Sequence, residues 1–212
     1  VPLLTIQDDG SVYSSGDQTK SDTYEVAFRT NLRGVTALRL EALPDDRLPE
    51  HGPGRVYYEG PFGDFFLSDL KVEAQGQPVK LTVASSSFAN GGNTATKAID
   101  ADLQSGWSID GGQGRAHNAV FNLAAPLTNA TEFVVRLTFE KYYPAGLGRF
   151  RISATTDRRP AVALELPDDL QALAAVEPDR ANEGDEERLR QYFVMHAPEL
   201  AGPREALAKA RR

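Results

Sequence analysis

Residues 85–123 read SSSFANGGNTATKAIDADLQSGWSIDGGQGRAHNAVFNL, and the rest of the chain is organised around this stretch. It begins and ends in strand-like runs, separated by roughly thirty residues rich in Gly, Asn, Asp and Ser. A connection of this length inside a compact domain usually carries a function if it is not disordered. Apolar residues recur through it, among them the only Trp of the chain, Trp107. We therefore expect the connection to be anchored to a core while its polar residues hold an ion or a ligand.

Composition excludes several classes of protein. The chain has 212 residues, a net charge of −7 and a pI near 5.0. Nucleic-acid-binding proteins carry clusters of Lys and Arg against phosphates, so we expect no DNA or RNA partner. The absence of Cys excludes disulfides, thiolate zinc sites and covalent haem attachment in this segment. No apolar run approaches the roughly 20 residues that span a bilayer, so no membrane span is expected. The start, VPLLTIQDDG, has neither Met nor a signal-like stretch, which indicates a piece of a longer protein.

Alternation of apolar and polar residues predicts a series of β-strands. In TYEVAFRT, Tyr24, Val26 and Phe28 share one face. Leu3 to Ile6 predicts a short strand, and residues 8–22 read as a turn-rich connection. The period-2 pattern recurs in VTALRLEAL, FFLSDLKVEA, PVKLTV, NAVFNL, EFVVRLTFE and RFRISATT. About eight strands without helices between them predict an all-β fold, an antiparallel β-sandwich of jelly-roll type over residues 1–160.

The last part of the chain, residues 161–212, is predicted to be a short C-terminal α-helical extension or linker. From Leu166 onward Ala, Leu, Glu and Arg replace the β-branched residues, and LPDDLQALAAV predicts a short helix. Asn182 is expected to cap a second helix, and Pro203 to open a third. One face of the second helix carries an apolar stripe formed by Leu189, Tyr192, Phe193 and His196. We expect these short helices to pack against the sandwich or against a neighbouring domain.

Side chains typical of catalytic sites do not cluster in the sequence. His51, His117 and His196 lie far apart, without an HxxxH or HxH pair, so no zinc or iron site is expected. The chain has no G-x-S-x-G elbow, P-loop or Rossmann fingerprint. The predicted inward faces are almost wholly apolar, which leaves few places for a buried carboxylate pair. We therefore expect that the protein is not an enzyme.

Two carboxylates of the central connection could contribute to a calcium site. Asp100 and Asp102 stand in KAIDADLQSGW, and with the Ser105 hydroxyl and backbone carbonyls they could supply the hard oxygen ligands that Ca²⁺ prefers. The candidate metal-site residues are Lys97, Asp100, Asp102 and Ser105. The alternative is that Asp100 caps a turn and Asp102 is solvated.

Trp107 also has two interpretations. Its indole could be a stacking platform for a sugar ring, or it could be a core residue that fastens the connection. Because Trp buries a large area and Ile109 follows closely, the core position is favoured.

Motifs of the central stretch resemble a known fold family. ATKAIDADLQSGW, with SSSF before it and AVFNL after it, is similar to the central segment of galactose-binding-like β-sandwiches of the discoidin type. In that family an A-x-D-G-D-x-x-T-x-W segment shapes a loop that often holds structural calcium. Ala101 stands at the position of the usual Gly, and Ser105 at that of the usual Thr.

A second resemblance covers nearly the whole chain. Seven motifs in order resemble a carbohydrate-binding-like module of planctomycete cytochrome c-containing multidomain proteins. The motifs are LRLEALPDDRLP, GPGR, DFFLSDLKV, AIDADLQSGWSI, HNAVF, GRFRIS and YFVMHAPEL. The segment GPFGDFF departs from the G-N-F-like segment that is more common in that family.

The resemblance implies a non-catalytic carbohydrate-binding module of a larger exported, haem-containing protein, located in the periplasm or at the cell surface. It implies no haem in this segment. Loops at one end of the sandwich would then present aromatic faces and polar groups to a polysaccharide. The candidate ligand-binding residues, chosen as polar or aromatic residues on predicted loops, are Tyr57, Tyr58, Arg115, His117, Tyr142 and Tyr143.

The alternative is a structural or protein-interaction module that positions neighbouring domains and binds no sugar. This hypothesis predicts loops that are poor in accessible aromatic residues. It also predicts that the apolar stripe of the second C-terminal helix docks onto the next domain.

Overall fold

The computed structural model forms two compact units, Val1–Glu165 and Leu166–Arg212. All the strands of the described residues lie in the first unit. The second unit is described through two helices. The described residues are 1–128, 131–143, 145–164, 170, 173, 182–197 and 200–210.

Two antiparallel sheets make up the first unit. The strands, numbered in chain order, are β1 (Pro2–Ile6), β2 (Val12–Gly16), β3 (Asp22–Arg29), β4 (Val35–Ala42), β5 (Asp69–Ala74), β6 (Gln77–Val79), β7 (Leu81–Ser86), β8 (His117–Leu127), β9 (Glu132–Phe139) and β10 (Arg149–Thr155). One sheet has six strands in the order β1-β2-β10-β4-β8-β7. The other has four strands in the order β3-β9-β5-β6.

The core lies between the two sheets because apolar residues alternate along the strands. In β9, Phe133, Val135 and Leu137 are buried, while the residues between them are partly exposed. Across the smaller sheet Phe28 pairs with Phe133, and their rings stack with centroids 5.3 Å apart. The predicted all-β, antiparallel two-sheet sandwich is therefore confirmed.

Two strands differ from the sequence-based prediction. Residues 8–22 contain β2, whose short length and Ser and Gly content hide it from a pattern search. PVKLTV, predicted as one strand, divides at Lys80 into β6 of the smaller sheet and β7 of the larger. The alternation continues through this crossing, so periodicity alone does not reveal the change of sheet.

A buried polar network fixes the connection between β9 and β10. The Tyr24 hydroxyl donates to Leu147 O at 3.0 Å and accepts from Ser14 Oγ at 3.0 Å. Arg55 Nη1 donates to the same Ser14 oxygen at 3.1 Å. A Cβ at Gly146 would lie 2.3 Å from the Tyr24 hydroxyl, so only glycine fits there. The network holds this connection against the edge of the core.

Residues 161–164, which we call the strap, lie on the outer face of the larger sheet. Asn122 exchanges two hydrogen bonds with the backbone of Ala161, at 2.8 and 2.9 Å. Ala163 N donates to Ser85 Oγ at 2.8 Å, and Asn118 Nδ2 donates to Leu164 O at 2.8 Å. The strap thus belongs to the compact unit that ends at Glu165.

The second unit contains α1 (Glu183–His196) and α2 (Ala201–Ala210). Asn182 Oδ1 accepts a hydrogen bond from Asp185 N at 3.0 Å and so caps α1. Arg204 of α2 donates to Ala197 O at 2.8 Å, which ties the two helices together. The helix predicted from LPDDLQALAAV lies outside the described residues, apart from residues 170 and 173.

None of the helices in the described residues has the length and apolar character needed to cross a membrane.

Candidate functional site

Trp107 fastens the central connection, residues 87–116, to the core. Its side chain is fully buried, its Nε1 donates to Phe88 O at 2.9 Å, and its ring meets Phe65 edge-on at 4.9 Å. Its backbone exchanges two hydrogen bonds with Leu67, at 2.9 and 3.0 Å. The core position predicted for Trp107 is confirmed, and the indole offers no face to a ligand.

A short 3₁₀ helix, Ala95–Ile99, anchors the middle of the same connection. Ala95 and Ala98 are fully buried, and Thr96 Oγ1 donates to Ala84 O of β7 at 3.0 Å. Small residues let the helix approach the strands closely. The connection is therefore ordered by packing at several points along its length.

The four candidate metal-site residues come together immediately after this helix. Ser105 Oγ lies 2.7 Å from Asp100 Oδ2, 3.2 Å from Asp102 O and 3.3 Å from Lys97 O. Partial burial opposes ionisation of Asp100, but hydrogen bonds from Ser105 and Asp102 N and the Lys97 ammonium outweigh it and lower the pKa of the Asp100 carboxyl. Asp100 is thus held as a carboxylate.

This cluster fits part of a calcium coordination shell. It brings four oxygen atoms together, whereas Ca²⁺ takes six to eight. The Lys97 ammonium lies 3.4 Å from Asp100 Oδ2, where it competes with a cation. The described residues contain no group of three or more His, Cys, Asp or Glu side chains placed to hold a metal ion. Any bound calcium would therefore depend on the Asp100 carboxylate together with the hydroxyl and carbonyl oxygens, with waters completing the shell.

A cleft of about 270 Å³ opens where three connections meet: residues 44–68, residues 87–116 and residues 140–148. Its lining is mixed and includes apolar and aromatic side chains as well as carboxylates and amides. Its lining residues are Val56, Glu59, Gly60, Pro61, Asp64, Phe65, Phe66, Asn90, Asn93, Ser108, Asp110, Tyr142 and Ala145.

Asp64 forms the buried floor of the cleft. It is 5% exposed, and its carboxylate accepts from Ser108 Oγ at 2.7 Å and from Ile109 N at 2.9 Å. Burial raises the pKa of Asp64 to about 6, and the nearby Asp110 carboxylate adds to the shift, although hydrogen bonds from Ser108, Ile109 and Phe65 oppose it. In the described part of the chain no ammonium or guanidinium group forms an ion pair with Asp64.

Asparagine and aspartate side chains of the central connection complete the polar wall. Asp110 accepts from Asn90 Nδ2 at 2.9 Å and from Gln113 Nε2 at 3.2 Å, which fixes its carboxylate. The backbone of Asn93 accepts from Ser108 N at 3.1 Å, and its half-buried side chain lines the cleft. These groups are the kind of oriented donors and acceptors that bind hydroxyl groups.

Exposed aromatic rings lie on the segments that line the cleft. The Tyr142 ring is 47% exposed and packs edge-on against Phe66 with centroids 5.1 Å apart. The Lys141 ammonium lies 4.8 Å from the Phe66 centroid. Tyr57 and Tyr58, more than half exposed, stand between the lining residues Val56 and Glu59. Phe62, 52% exposed, belongs to the same segment, although sequence reasoning did not select it.

The remaining candidate ligand residues lie elsewhere. Tyr143 is exposed, and its hydroxyl donates to Gln18 O at 3.3 Å. Arg115 is exposed beside Gly114, which lines a separate shallow depression together with His51. His117, chosen as a loop residue, instead begins β8 and is 2% exposed. Its ring stacks on Phe88 and its Nε2 lies 2.6 Å from Gly112 O, so in this structure it supports the loop from inside.

Sequence reasoning missed most of the polar lining. Asn90, Asn93, Ser108 and Asp110 belong to the stretch singled out at the start, but nothing in their spacing distinguishes them from solvated loop residues. The one signal for Asp64 was GPFGDFF, an acid directly before a run of apolar residues. Only folding shows that this acid is buried.

Comparison of the chain with protein-family models, with curated proteins and with solved structures found no match.

Proposed function

We propose that the first unit is a non-catalytic carbohydrate-binding module and that the cleft between the three connections holds the glycan. The half-exposed Tyr142 ring beside a wall of amides and carboxylates is the observation that carries this proposal. An aromatic face packs against the C–H groups of a sugar, and amide and carboxylate oxygens accept hydrogen bonds from its hydroxyls. We assign no catalytic residue.

A jelly-roll, galactose-binding-like topology is part of the same proposal. The strand orders support it, because the connections β2–β3, β3–β4, β4–β5, β8–β9 and β9–β10 all cross from one sheet to the other. In such a fold the cross-sheet connections gather at the ends of the sandwich. Two of the three connections that build the cleft, β4–β5 and β9–β10, are of this kind, whereas the cluster at Ser105 lies in the β7–β8 connection within the larger sheet.

A structural calcium ion at Lys97, Asp100, Asp102 and Ser105 is the proposed cofactor. The convergence of Ser105 Oγ with oxygens of the other three residues supports this site. Bound Ca²⁺ would supply fixed positive charge that stiffens the connection after the 3₁₀ helix. The same connection contributes the amide wall of the cleft, so the ion would pre-organise the binding surface.

The wider setting follows from the resemblance to planctomycete cytochrome c-containing proteins. We infer that the chain is a module of a larger exported, haem-containing protein, in the periplasm or at the cell surface, where it holds its host on a polysaccharide. Neighbouring domains of that host would be its other partners.

A specific observation favours a second candidate function. On α1, Phe193, Val194 and Met195 are 54%, 45% and 64% exposed, which suits a contact surface for a neighbouring domain. A module that only positions its neighbours would need no aromatic rings around the cleft. The exposure of Tyr57, Tyr58 and Tyr142 therefore supports glycan binding as the first candidate.

The test is a glycan array followed by calorimetric titration of the whole chain, with Ca²⁺ present and then chelated. Tyr142→Ala is expected to weaken glycan binding about tenfold, because it removes a stacking face. The matched control is Phe193→Ala, an equally exposed ring on α1, which should leave the affinity unchanged.

Absence of binding to any glycan, in either calcium condition, would contradict the proposal and favour the domain-positioning function. Equal affinity with and without Ca²⁺ would contradict the calcium site alone.

A further inference from the structure

The side chains that line the cleft carry an excess of negative charge. Glu59, Asp64 and Asp110 all line it, and among the described residues of its lining there is no Lys, Arg or His. The nearby Lys141 ammonium lies over the Phe66 and Tyr142 rings. A ligand that enters the cleft therefore meets three carboxylates and two amides, while the Lys141 ammonium lies over the aromatic rings of the lining.

The burial of Asp64 makes this excess of negative charge energetically unfavourable. Its carboxylate is 5% exposed and accepts hydrogen bonds from the Ser108 hydroxyl and the backbone N–H groups of Ile109 and Phe65, with no cationic partner in the described part of the chain. Buried carboxylates are normally paired with a positive charge, because desolvation of an isolated ion is expensive. A cation at the cleft would relieve the cost, since it would face both Asp64 and the fixed carboxylate of Asp110.

An organic cation suits the cleft better than a metal ion. The described residues contain no group of three His, Cys, Asp or Glu side chains placed to hold a metal. The cleft is also walled by Phe66 and Tyr142, and its volume of about 270 Å³ lies near the lower end of ligand pockets, about 300–1,000 Å³. This size fits a terminal sugar residue and its neighbour.

We propose that the cleft selects amino sugars, binding a protonated amine at the end of a glycan chain against Asp64 and Asp110, while Tyr142 packs on the ring. The inference rests on the proposed function and specifies its ligand class. Burial raises the pKa of Asp64 to about 6, and this supports the inference, because a bound ammonium would offset the cost of desolvating the carboxylate. The amides of Asn90 and Asn93 are placed to bind the hydroxyls of the same sugar. Acidic glycans are disfavoured by the like charges.

The test compares three oligosaccharides of equal length on the 212-residue chain by calorimetry at neutral pH and low salt. They are an oligomer of glucosamine, its N-acetylated counterpart and an oligomer of a uronic acid. The glucosamine oligomer is expected to bind about tenfold more tightly than the acetylated one, the gain of one charge-assisted hydrogen bond. The uronic acid oligomer should bind most weakly of the three. High salt should narrow these differences.

Variants that each remove one carboxylate test whether the amine binds at Asp64 and Asp110. Asp64→Asn and Asp110→Asn should each bring the affinities for the amine and the acetylated oligomer close together. Asp8→Asn makes the same change in net charge on the exposed turn before β2 and should keep the full preference. Circular dichroism checks the fold of each variant, and Asp110→Asn carries the test if Asp64→Asn does not fold.

The possible results distinguish failure of the amino-sugar inference from failure of the carbohydrate-binding function. Equal binding of the amine and the acetylated oligomer, both weakened by Tyr142→Ala, would overturn the amino-sugar inference and leave the carbohydrate-binding function standing. A preference for the amine that survives both Asp64→Asn and Asp110→Asn would also overturn it. Failure of all three oligomers and of every glycan on the array would overturn both proposals.

Discussion

At the scale of single residues, Asp64 is expected to make the stability of the fold decrease as the pH rises through the pKa of its carboxyl. A carboxyl whose pKa is raised on folding binds its proton more tightly in the folded state than in the unfolded chain. Its contribution to stability is therefore fully present below the ordinary pKa, near 4, and is lost as the pH rises through the folded value of about 6. The groups that face it are Ser108, the Ile109 and Phe65 amides, and the carboxylate of Asp110.

Replacement of Asp64 by Asn should remove this pH dependence. A shift of about two pKa units corresponds to about 3 kcal/mol. Between pH 4 and pH 7 the free energy of unfolding of the unmodified chain should fall, relative to that of Asp64→Asn, by about 2–3 kcal/mol. Urea unfolding at several pH values measures the difference. Parallel pH profiles for the two proteins would show that Asp64 is not perturbed by folding.

Ala101 holds a backbone conformation that suits glycine. Its φ is +66°, in the left-handed region, where a Cβ costs about 1–2 kcal/mol. Glycine removes this strain but gives the unfolded chain more freedom, which offsets about 0.5–1 kcal/mol of the gain. Ala101→Gly should therefore raise the free energy of unfolding by about 0.5–1 kcal/mol, as measured by urea unfolding.

A matched control for Ala101→Gly is Ala98→Gly, in the 3₁₀ helix of the same connection. There the methyl group is buried, so glycine should destabilise the protein. A loss of stability in Ala101→Gly comparable to that in Ala98→Gly would contradict the strain at Ala101.

The role of a residue could be predicted from the sequence where it depends on a local property, such as side-chain size or spacing along the chain. Trp107 was expected in the core because a large apolar ring among small residues gains most from burial, and it lies there. The convergence at Ser105 followed from close spacing in the chain. Asp64 and His117 could not be placed in this way. Asp64 bonds to Ser108 and Ile109, and the His117 ring stacks on Phe88; these partners come from distant parts of the chain and meet them only in the fold.

At the scale of elements, the central connection depends on Trp107. The indole fills the core, bonds to Phe88 O and meets the edge of Phe65, so its loss should destabilise the whole unit. Trp107→Ala is expected to reduce the free energy of unfolding by about 3–5 kcal/mol. Far-UV circular dichroism in urea provides the measurement, since the variant has no Trp fluorescence.

The control for Trp107→Ala is Tyr58→Ala, which removes a 57% exposed ring and should change stability by less than about 0.5 kcal/mol. If the two variants unfolded at the same urea concentration, Trp107 could not be the anchor of the connection.

Periodicity predicted the long strands and failed at the short ones. Burial alternates along all eight residues of β9, and in β4 Leu38, Leu40 and Ala42 share one buried face, so both the strand and its inward face could be inferred. β2 has five residues of mixed character, and the division at Lys80 occurs without any break in the pattern. The sheet to which a strand belongs depends on its distant partners, and a local pattern carries no information about them.

At the scale of the whole molecule, the compact sandwich unit includes the strap. Three side chains of the larger sheet, Ser85, Asn118 and Asn122, bond to its backbone. Each such hydrogen bond contributes about 1 kcal/mol. A chain that ends at residue 160 should therefore be less stable than one that ends at residue 165 by about 2–4 kcal/mol, in urea unfolding followed by circular dichroism.

The longer of these two chains should also fold cooperatively without the second unit and bind the same glycan as the full chain. Its comparison with the 212-residue chain shows whether α1 and α2 take part in binding. Equal stability of the chains that end at 160 and 165 would contradict a structural role for the strap.

The single Trp residue can serve as an intrinsic fluorescence probe of the cleft. Trp107 is the only Trp, and its N–H is tied to Phe88 O, two positions before Asn90 in the wall of the cleft. Any movement of that wall on ligand entry should change the surroundings of this single buried chromophore. Under excitation that indole absorbs and the seven Tyr residues do not, emission wavelength and quenching by acrylamide should therefore report occupancy of the cleft from one known position, without a label.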